Sequence, residues 1–137
     1  MEGKVFSEEF LVRDYEVDMF GVVNNSVYQN YFEHTRHLFL EHIGFDLLAL
    51  AESGNSAVVA AIRIKYKHPL RSKDRFISTI RIKKSESVRR VFIQKIFLKD
   101  SKKPIADGEV TCVFINEKGN PVPPSQAFLN GIAPYTI

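Results

Sequence analysis

Apolar and polar residues follow two rhythms along this chain. Between Ser26 and Ile43 the rhythm is helical. At ~100° per residue, Val27, Tyr28, Tyr31, Phe32, Thr35, Leu38, Phe39 and Ile43 fall on one broad face. Ser26, Gln29, Asn30, Glu33, His34, His37 and Glu41 fall on the other. His42 lies in the apolar sector and Leu40 in the polar one, so the division is incomplete. Asn25 or Ser26 offers an N-cap oxygen, and Gly44 suits the left-handed position that closes a helix. Phe45 to Ser53 is expected to add a short helical turn.

After Gly54 the rhythm becomes that of strands. Ser56 to His68 starts as a continuous apolar run, then sets Ile62, Ile64 and Tyr66 against Arg63, Lys65 and Lys67 until Pro69 stops it. Further strands are expected at Arg75 to Lys84, Val88 to Lys99 and Ile105 to Asn116. Ser85-Glu86-Ser87 and Asp100 to Pro104 read as the turns between them. Before the helix, Val5 to Asp14 reads as a strand with imperfect alternation. After Asn116 the tail carries Pro121, Pro123, Pro124 and Pro134, so it is expected to be irregular, with one helical turn at Ser125 to Asn130.

The order is thus strand, long helix, then four strands joined by hairpin-length turns. Consecutive hairpins imply an antiparallel sheet, and the single apolar helix must pack on one face of it. The expected class is α+β: five strands curved around one helix.

Composition narrows this picture. The chain has 137 residues, enough for one domain over 1–137, and 45% of them are hydrophobic. No run approaches the ~18 apolar residues that a membrane-spanning helix needs, so membrane insertion is not expected. Met1-Glu2-Gly3-Lys4 lacks the basic-then-apolar pattern of a secretory signal. A single cysteine, Cys112, excludes an intramolecular disulfide and any cysteine-rich metal site. Together these lead to the expectation of a cytoplasmic protein with no metal.

The net charge of +3 does not indicate nucleic-acid binding. The basic residues cluster, however: Arg63, Lys65, Lys67, Arg71 and Lys73 in one stretch, Lys83, Lys84, Arg89 and Arg90 in another. Such clusters are either solvated strand faces or a rim that draws in phosphates.

The segment between the first strand and the helix has unusual content. Asp14, Glu16 and Asp18 are followed by Gly21 and the pair Asn24-Asn25, and the run leads directly into the helix N-terminus. That terminus offers unpaired N–H groups and the positive end of the helix dipole, a setting for a carbonyl oxygen gaining negative charge. Asp18 then has two readings. It is a cap or dipole partner, or it is a carboxylate that attacks a carbonyl or activates water. Asn24 likewise is a turn residue, or it orients Asp18 or a water.

The run Asp18-Met19-Phe20-Gly21-Val22-Val23, with Tyr28 ten residues after the aspartate and Phe32, Glu33, Arg36 and Gly44 beyond, resembles hotdog-fold thioesterases of the 4-hydroxybenzoyl-CoA thioesterase type. Tyr66-x-x-Pro69 and Asp74 extend the likeness, which covers Val5 to Asn116. The Val23-Asn24-Asn25-x-x-Tyr28 form looks more like single-domain acyl-lipid and acyl-ACP thioesterases. Where acyl-ACP enzymes place Asn and His after the aspartate, this chain has Phe20 and Val22, so a histidine-assisted mechanism lacks its residue.

The resemblance implies the following. Asp18 is the catalytic carboxylate, and the Asn25 N–H polarises the thioester carbonyl. Gly21 lets the loop turn beside the ligand. Phe20, Tyr28, Phe32 and the Ser56 to Ile62 strand line an acyl tunnel. Lys67, Arg71, Arg89 and Arg90 are the candidate phosphate contacts. The substrate is an acyl-CoA or acyl carrier protein thioester, no cofactor is needed, and the chain forms a homodimer or homotetramer with the site between subunits. The alternatives are an aroyl-CoA thioesterase, acting on hydroxybenzoyl or dihydroxynaphthoyl thioesters, and a non-catalytic acyl-binding domain.

Overall fold

The structure, a computed structural model, describes residues 3–86 and 88–137, the side chains of Ser85 and Glu86 excepted. Strand β1 (Phe6–Leu11) leads through a 3-10 turn (Asp14–Glu16) to helix α1 (Asn25–His42). A short helix α2 (Leu47–Glu52) follows. Then come β2 (Ser56–Tyr66), β3 (Arg75–Glu86), β4 (Arg89–Leu98) and β5 (Pro104–Ile115). The chain ends in a two-residue strand β6 (Pro121–Val122), helix α3 (Gln126–Ile132) and a 3-10 turn (Ala133–Tyr135).

The sheet is antiparallel in the order β1-β3-β4-β5-β2, with β6 paired to the end of β5. Five main strands were expected, and β6 adds a sixth. Each β-β connection from β3 to β5 is a hairpin, whereas β2 is placed at the opposite edge from β1. Of the turn expected at Ser85-Glu86-Ser87, Ser85 and Glu86 belong to β3 and Ser87 lies outside the described residues.

Helix α1 crosses the sheet with the apolar face that its period gives it. Phe39 meets Phe6 of β1 and Phe92 of β4 edge-on, and Thr35 shares a 2.7 Å hydrogen bond with Ser78 of β3. Phe32 packs so tightly on Gly108 of β5 that a Cβ there would lie 2.8 Å from the ring. At its C-terminus the Phe45 N–H donates to Leu40 O and the Gly44 N–H to Glu41 O. Gly44, at φ +75°, takes the left-handed conformation this closure requires.

The cap differs from expectation by one residue. Asn24, not Asn25 or Ser26, caps α1: its side-chain oxygen accepts from the Ser26 N–H at 3.0 Å. The tail also differs. Phe128, Ile132 and Tyr135 are buried in the core, and the Ile137 N–H donates to Ile82 O. Prolines break regular periodicity, so the sequence pattern hid a segment that closes one end of the core.

Candidate active site

The loop after β1 is built by its own hydrogen bonds. The Asp18 N–H donates to Val22 O at 2.8 Å and the Gly21 N–H to Asp18 O at 2.9 Å, which closes a tight turn. Gly21 has φ +77° with open space around its Cβ direction, so glycine is required there by conformation and not by crowding. The Phe20 N–H donates to Asp18 Oδ1 at 2.8 Å, which fixes the carboxylate. The other oxygen of Asp18 has no protein partner among the described residues.

One bridge, Val17 to Val23, closes the loop on itself, and another, Val22 to Arg71 in the β2–β3 connection, docks it on the rest of the fold. Both polar backbone groups of Leu70 are engaged: its carbonyl accepts from the Val23 N–H at 2.8 Å, and its N–H donates to the Tyr28 hydroxyl at 3.1 Å. Burial pushes the Tyr28 hydroxyl pKa up.

Glu16 forms a second clamp. Its Oε1 accepts from the Arg13 N–H at 2.8 Å and from the Tyr31 hydroxyl at 2.9 Å, while its carbonyl accepts from the Asn24 N–H at 3.3 Å. The strand exit, the loop and the helix start are therefore held by one residue. Burial, and then the hydrogen bond to Glu16, push the Tyr31 pKa upward.

The helix start leaves one amide open. Ser26 N–H is taken by the Asn24 side chain, and Val27 N–H donates to Asn24 O at 2.9 Å. The Asn25 N–H has no acceptor among the described residues. It lies beside a cleft of about 210 Å3 lined by Val22, Val23, Asn25, Tyr28, Tyr66, Lys67, His68 and Pro69. The Tyr66 hydroxyl donates to Asn25 O at 3.3 Å, and Lys67 pairs with Asp107 at 2.9 Å. His68 Nδ1 is 2.9 Å from Pro104 O. A carbonyl can only accept, so Nδ1 carries a proton. An unengaged amide at the positive end of an 18-residue helix is able to stabilise negative charge on an oxygen, and a carboxylate is chemically able to act as a base or nucleophile; Asp18 stands in the adjoining loop and not among the residues lining this cleft.

The other expected site residues divide. Gly21, Asn25, Tyr28 and Lys67 join the loop and cleft, and Arg71 joins them through its backbone bridge. Phe20 projects from the loop tip, 79% exposed, away from the cleft walls. Phe32 is completely buried against Gly108 and is a core residue, not a tunnel wall. The side-chain oxygen of Asn24 is consumed by both the N–H and the hydroxyl of Ser26, so it acts as the cap. Arg89 and Arg90 pair opposite Val113 and Cys112, whereas the cleft adjoins Ala106 through Tyr66. Six residues of strand separate Ala106 from Cys112, roughly 20 Å, so within one copy these arginines lie at the far end of the sheet.

Sequence reading missed Glu16, Tyr66 and His68. The period-2 face shared by Ile62, Ile64 and Tyr66 pointed to Tyr66, but the contact to Asn25 needs the fold.

A second, more apolar cavity of about 150 Å3 lies farther along α1. It is lined by Glu33, Arg36, His37, Leu40, Phe45, Leu47, Ala57 to Val59, Phe92, Cys112, Phe114 and Phe128. The Ser56 to Ile62 strand therefore does wall a cavity beside the helix, through Ala57, Val58 and Val59, but not in the company of Phe20, Tyr28 or Phe32. Burial pushes the Cys112 thiol pKa up.

The chain belongs to the thioesterase-like superfamily, whose family model matches residues 12–132. Its fold is the hotdog fold. It superposes on the 1,4-dihydroxy-2-naphthoyl-CoA thioesterase Slr0204 from Synechocystis with a TM-score of 0.90, at 18% identity, over 95% of this chain and 96% of that one. The chain is also similar to two Arabidopsis thaliana proteins. One is acyl-acyl carrier protein thioesterase ATL3, chloroplastic, 41% identical over 88% of this chain and 65% of that protein. The other is acyl-acyl carrier protein thioesterase ATL2, chloroplastic, 42% identical over 82% of this chain and 60% of that protein. The chain thus spans less than two thirds of the length of either relative. Both names carry a plastid location, which lends no support to the expected cytoplasmic one. Among the described residues no helix is long and apolar enough to cross a membrane.

Proposed function

We propose that this chain hydrolyses an acyl thioester, releasing a free acid from CoA or an acyl carrier protein. The observation that carries this reading is the open Asn25 N–H at the start of α1, with the Asp18 carboxylate fixed in the loop docked beside it. The thioester carbonyl accepts from Asn25 N–H. Asp18 either removes a proton from the water that attacks the carbonyl carbon, the thiolate leaving and taking up that proton, or attacks the carbon itself, expelling the thiolate and forming a mixed anhydride that water then cleaves to the free acid and the Asp18 carboxylate, the water's proton going to the thiolate. An aliphatic acyl group is favoured over an aroyl group by the two acyl carrier protein thioesterases at 41% and 42% identity. Lys67 and Arg71 beside the cleft suit the phosphate of a pantetheine arm.

The working form is a homodimer. Strand β2 is a sheet edge of eleven residues, exposed nearly throughout, and Val58, Val59, Ile62 and Tyr66 are among its exposed side chains. Antiparallel pairing of two β2 strands about a two-fold axis buries them. It also lays the Tyr66 end of one copy, next to Asn25, against the Ala57 to Val59 end of the other. The apolar cavity of one copy then faces the loop of its partner, and Arg89 and Arg90 come toward that same site.

The test is hydrolysis of a panel of acyl-CoA and acyl carrier protein thioesters by the wild type and Asp18→Asn. Loss of about a hundredfold or more in kcat is expected from removing the base or nucleophile. Full activity in the variant overturns the assignment, and binding without turnover by the wild type leaves a non-catalytic acyl-binding domain.

A further inference from the structure

The cleft beside Asn25 adjoins a second groove. That groove, of about 320 Å3, is lined by Lys67, Lys95, Phe97, Lys102, Pro104 and Asp107 among others. The two share Lys67, and His68 of the cleft donates from Nδ1 to Pro104 O of the groove at 2.9 Å. Strands β2, β5 and β4 run side by side here. Lys67, at the end of β2, and Lys95, on β4, therefore stand roughly 10 Å apart across the sheet.

The groove carries more positive charge than its one carboxylate cancels. Asp107 takes the Lys67 ammonium at 2.9 Å. In the sheet register it stands between Lys95 of β4 and Lys65 of β2. Among the described residues, Lys95 and Lys102 make no ion pair. The flanking charges do cancel: Arg63 pairs with Glu109, and Arg75 and Lys99 share Glu9. Lys102 holds its Nζ 5.7 Å from the centre of the Phe97 ring. It takes φ +64°, a conformation usual for glycine, so the turn by itself does not ask for a lysine. Two unpaired cations thus line one concavity, with Phe97 and Pro104 as its apolar wall. A concave pair of cations suits a small polyanion. A protein partner is drawn by a broad excess of charge, and here the surroundings are neutralised in pairs.

We propose that this groove binds the phosphates at the nucleotide end of CoA, so that the thioester this chain hydrolyses best is carried on CoA and not on a protein. This rests on the thioesterase reading for what the cleft does, and it names the carrier. With the carbonyl at Asn25, the pantetheine arm leaves past Lys67. The nucleotide phosphates then lie between Lys95 and Lys102, and the base lies against Phe97 and Pro104. The arm of a carrier protein ends in a single phosphate and brings no nucleotide, so it leaves both lysines unused. Charge held outside the reacting centre lowers KM without changing the chemical step.

The experiment measures hydrolysis of one acyl group on three carriers: CoA, phosphopantetheine and acyl carrier protein. The wild type is expected to show a KM for the CoA thioester lower than for the phosphopantetheine thioester by roughly two- to thirtyfold, the range of two exposed charge pairs. Raising the ionic strength should shrink that ratio. The double variant Lys95→Gln with Lys102→Gln is expected to remove most of it with little change in kcat, and Lys95→Arg with Lys102→Arg to keep it. Equal KM values for the CoA and phosphopantetheine thioesters in the wild type overturn the proposal. A KM rise in the glutamine variant for acyl carrier protein alone overturns it too, and makes this face a protein-docking surface.

Calorimetry with the adenosine bisphosphate portion of CoA gives a readout that needs no turnover. Binding by the wild type that weakens in the glutamine variant, without hydrolysis of any thioester, supports the groove while overturning the thioesterase reading. Hydrolysis with no binding of the nucleotide and no preference for CoA overturns the groove and leaves the thioesterase reading intact. The wild-type comparison of carriers decides the matter even where a variant does not fold.

Discussion

Phe32 of helix α1 lies against the bare backbone of Gly108 in strand β5, where an added Cβ would come within 2.8 Å of Cε2 and 3.0 Å of Cζ. The ring is fully buried and cannot swing away. Gly108→Ala is therefore expected to destabilise the fold by about 1–3 kcal/mol, the usual cost of overpacking. Denaturant unfolding checks this. In the double variant with Phe32→Leu, part of the loss should return, because the smaller side chain vacates the contact.

Asn24 caps α1 through the Ser26 N–H. Asn24→Ala is expected to cost about 1 kcal/mol, and Asn24→Asp or Asn24→Ser much less. Thermal melts of the three variants give the comparison. An equal loss in all of them would show that something other than the cap is responsible.

Much of the fold was legible because it follows from period. The change from 3.6 to 2 at Gly54 separates α1 from the strands, and the spacing of Tyr28, Tyr31, Phe32, Thr35 and Phe39 identifies the buried face. Arg36 was not legible as a buried residue, since a cation on a helix normally snorkels outward. Its burial depends on Gln94, 58 positions away, being there to receive it. Nor was the tail, where proline suppresses periodicity although Phe128, Ile132 and Tyr135 fill the core. At the site, the family resemblance carried by residues 18–28 pointed to Asp18 and the helix start as candidates. Which of two adjacent asparagines caps and which leaves its N–H open is settled by a hydrogen bond that spacing alone does not determine.

Glu16 holds Arg13 N–H and Tyr31 hydroxyl with one oxygen. Glutamine keeps that oxygen as an acceptor for both donors; alanine does not. Glu16→Ala is expected to lower kcat by about ten- to a hundredfold through misplacement of the neighbouring loop. KM should change less, and Glu16→Gln should keep most of the activity. Steady-state kinetics well below the melting temperature separate this from simple unfolding. Equal activity in Ala and Gln variants would remove Glu16 from any positioning role.

Burial raises the pKa of the Cys112 thiol and of the Tyr28 and Tyr31 hydroxyls. The folded chain therefore holds these protons after the unfolded chain has released them. The contribution to stability is complete below the ordinary thiol and phenol ranges and is lost as pH rises through and beyond them. Denaturation midpoints are expected to be level near neutrality and to fall above about pH 8. Cys112→Ala should move the onset of the fall upward, toward the phenol range. An unmoved onset would exclude the thiol as its origin.

Strand β2 leaves one side of an eleven-residue backbone without a neighbour among the described residues. Such an edge templates further strands unless it is covered. With two copies paired along it, as proposed above, stability becomes a property of concentration as well as of sequence. Melting temperature should climb with protein concentration, and dilution should expose an edge prone to aggregate. A charged substitution such as Val59→Lys would disclose how far folding and assembly are a single event.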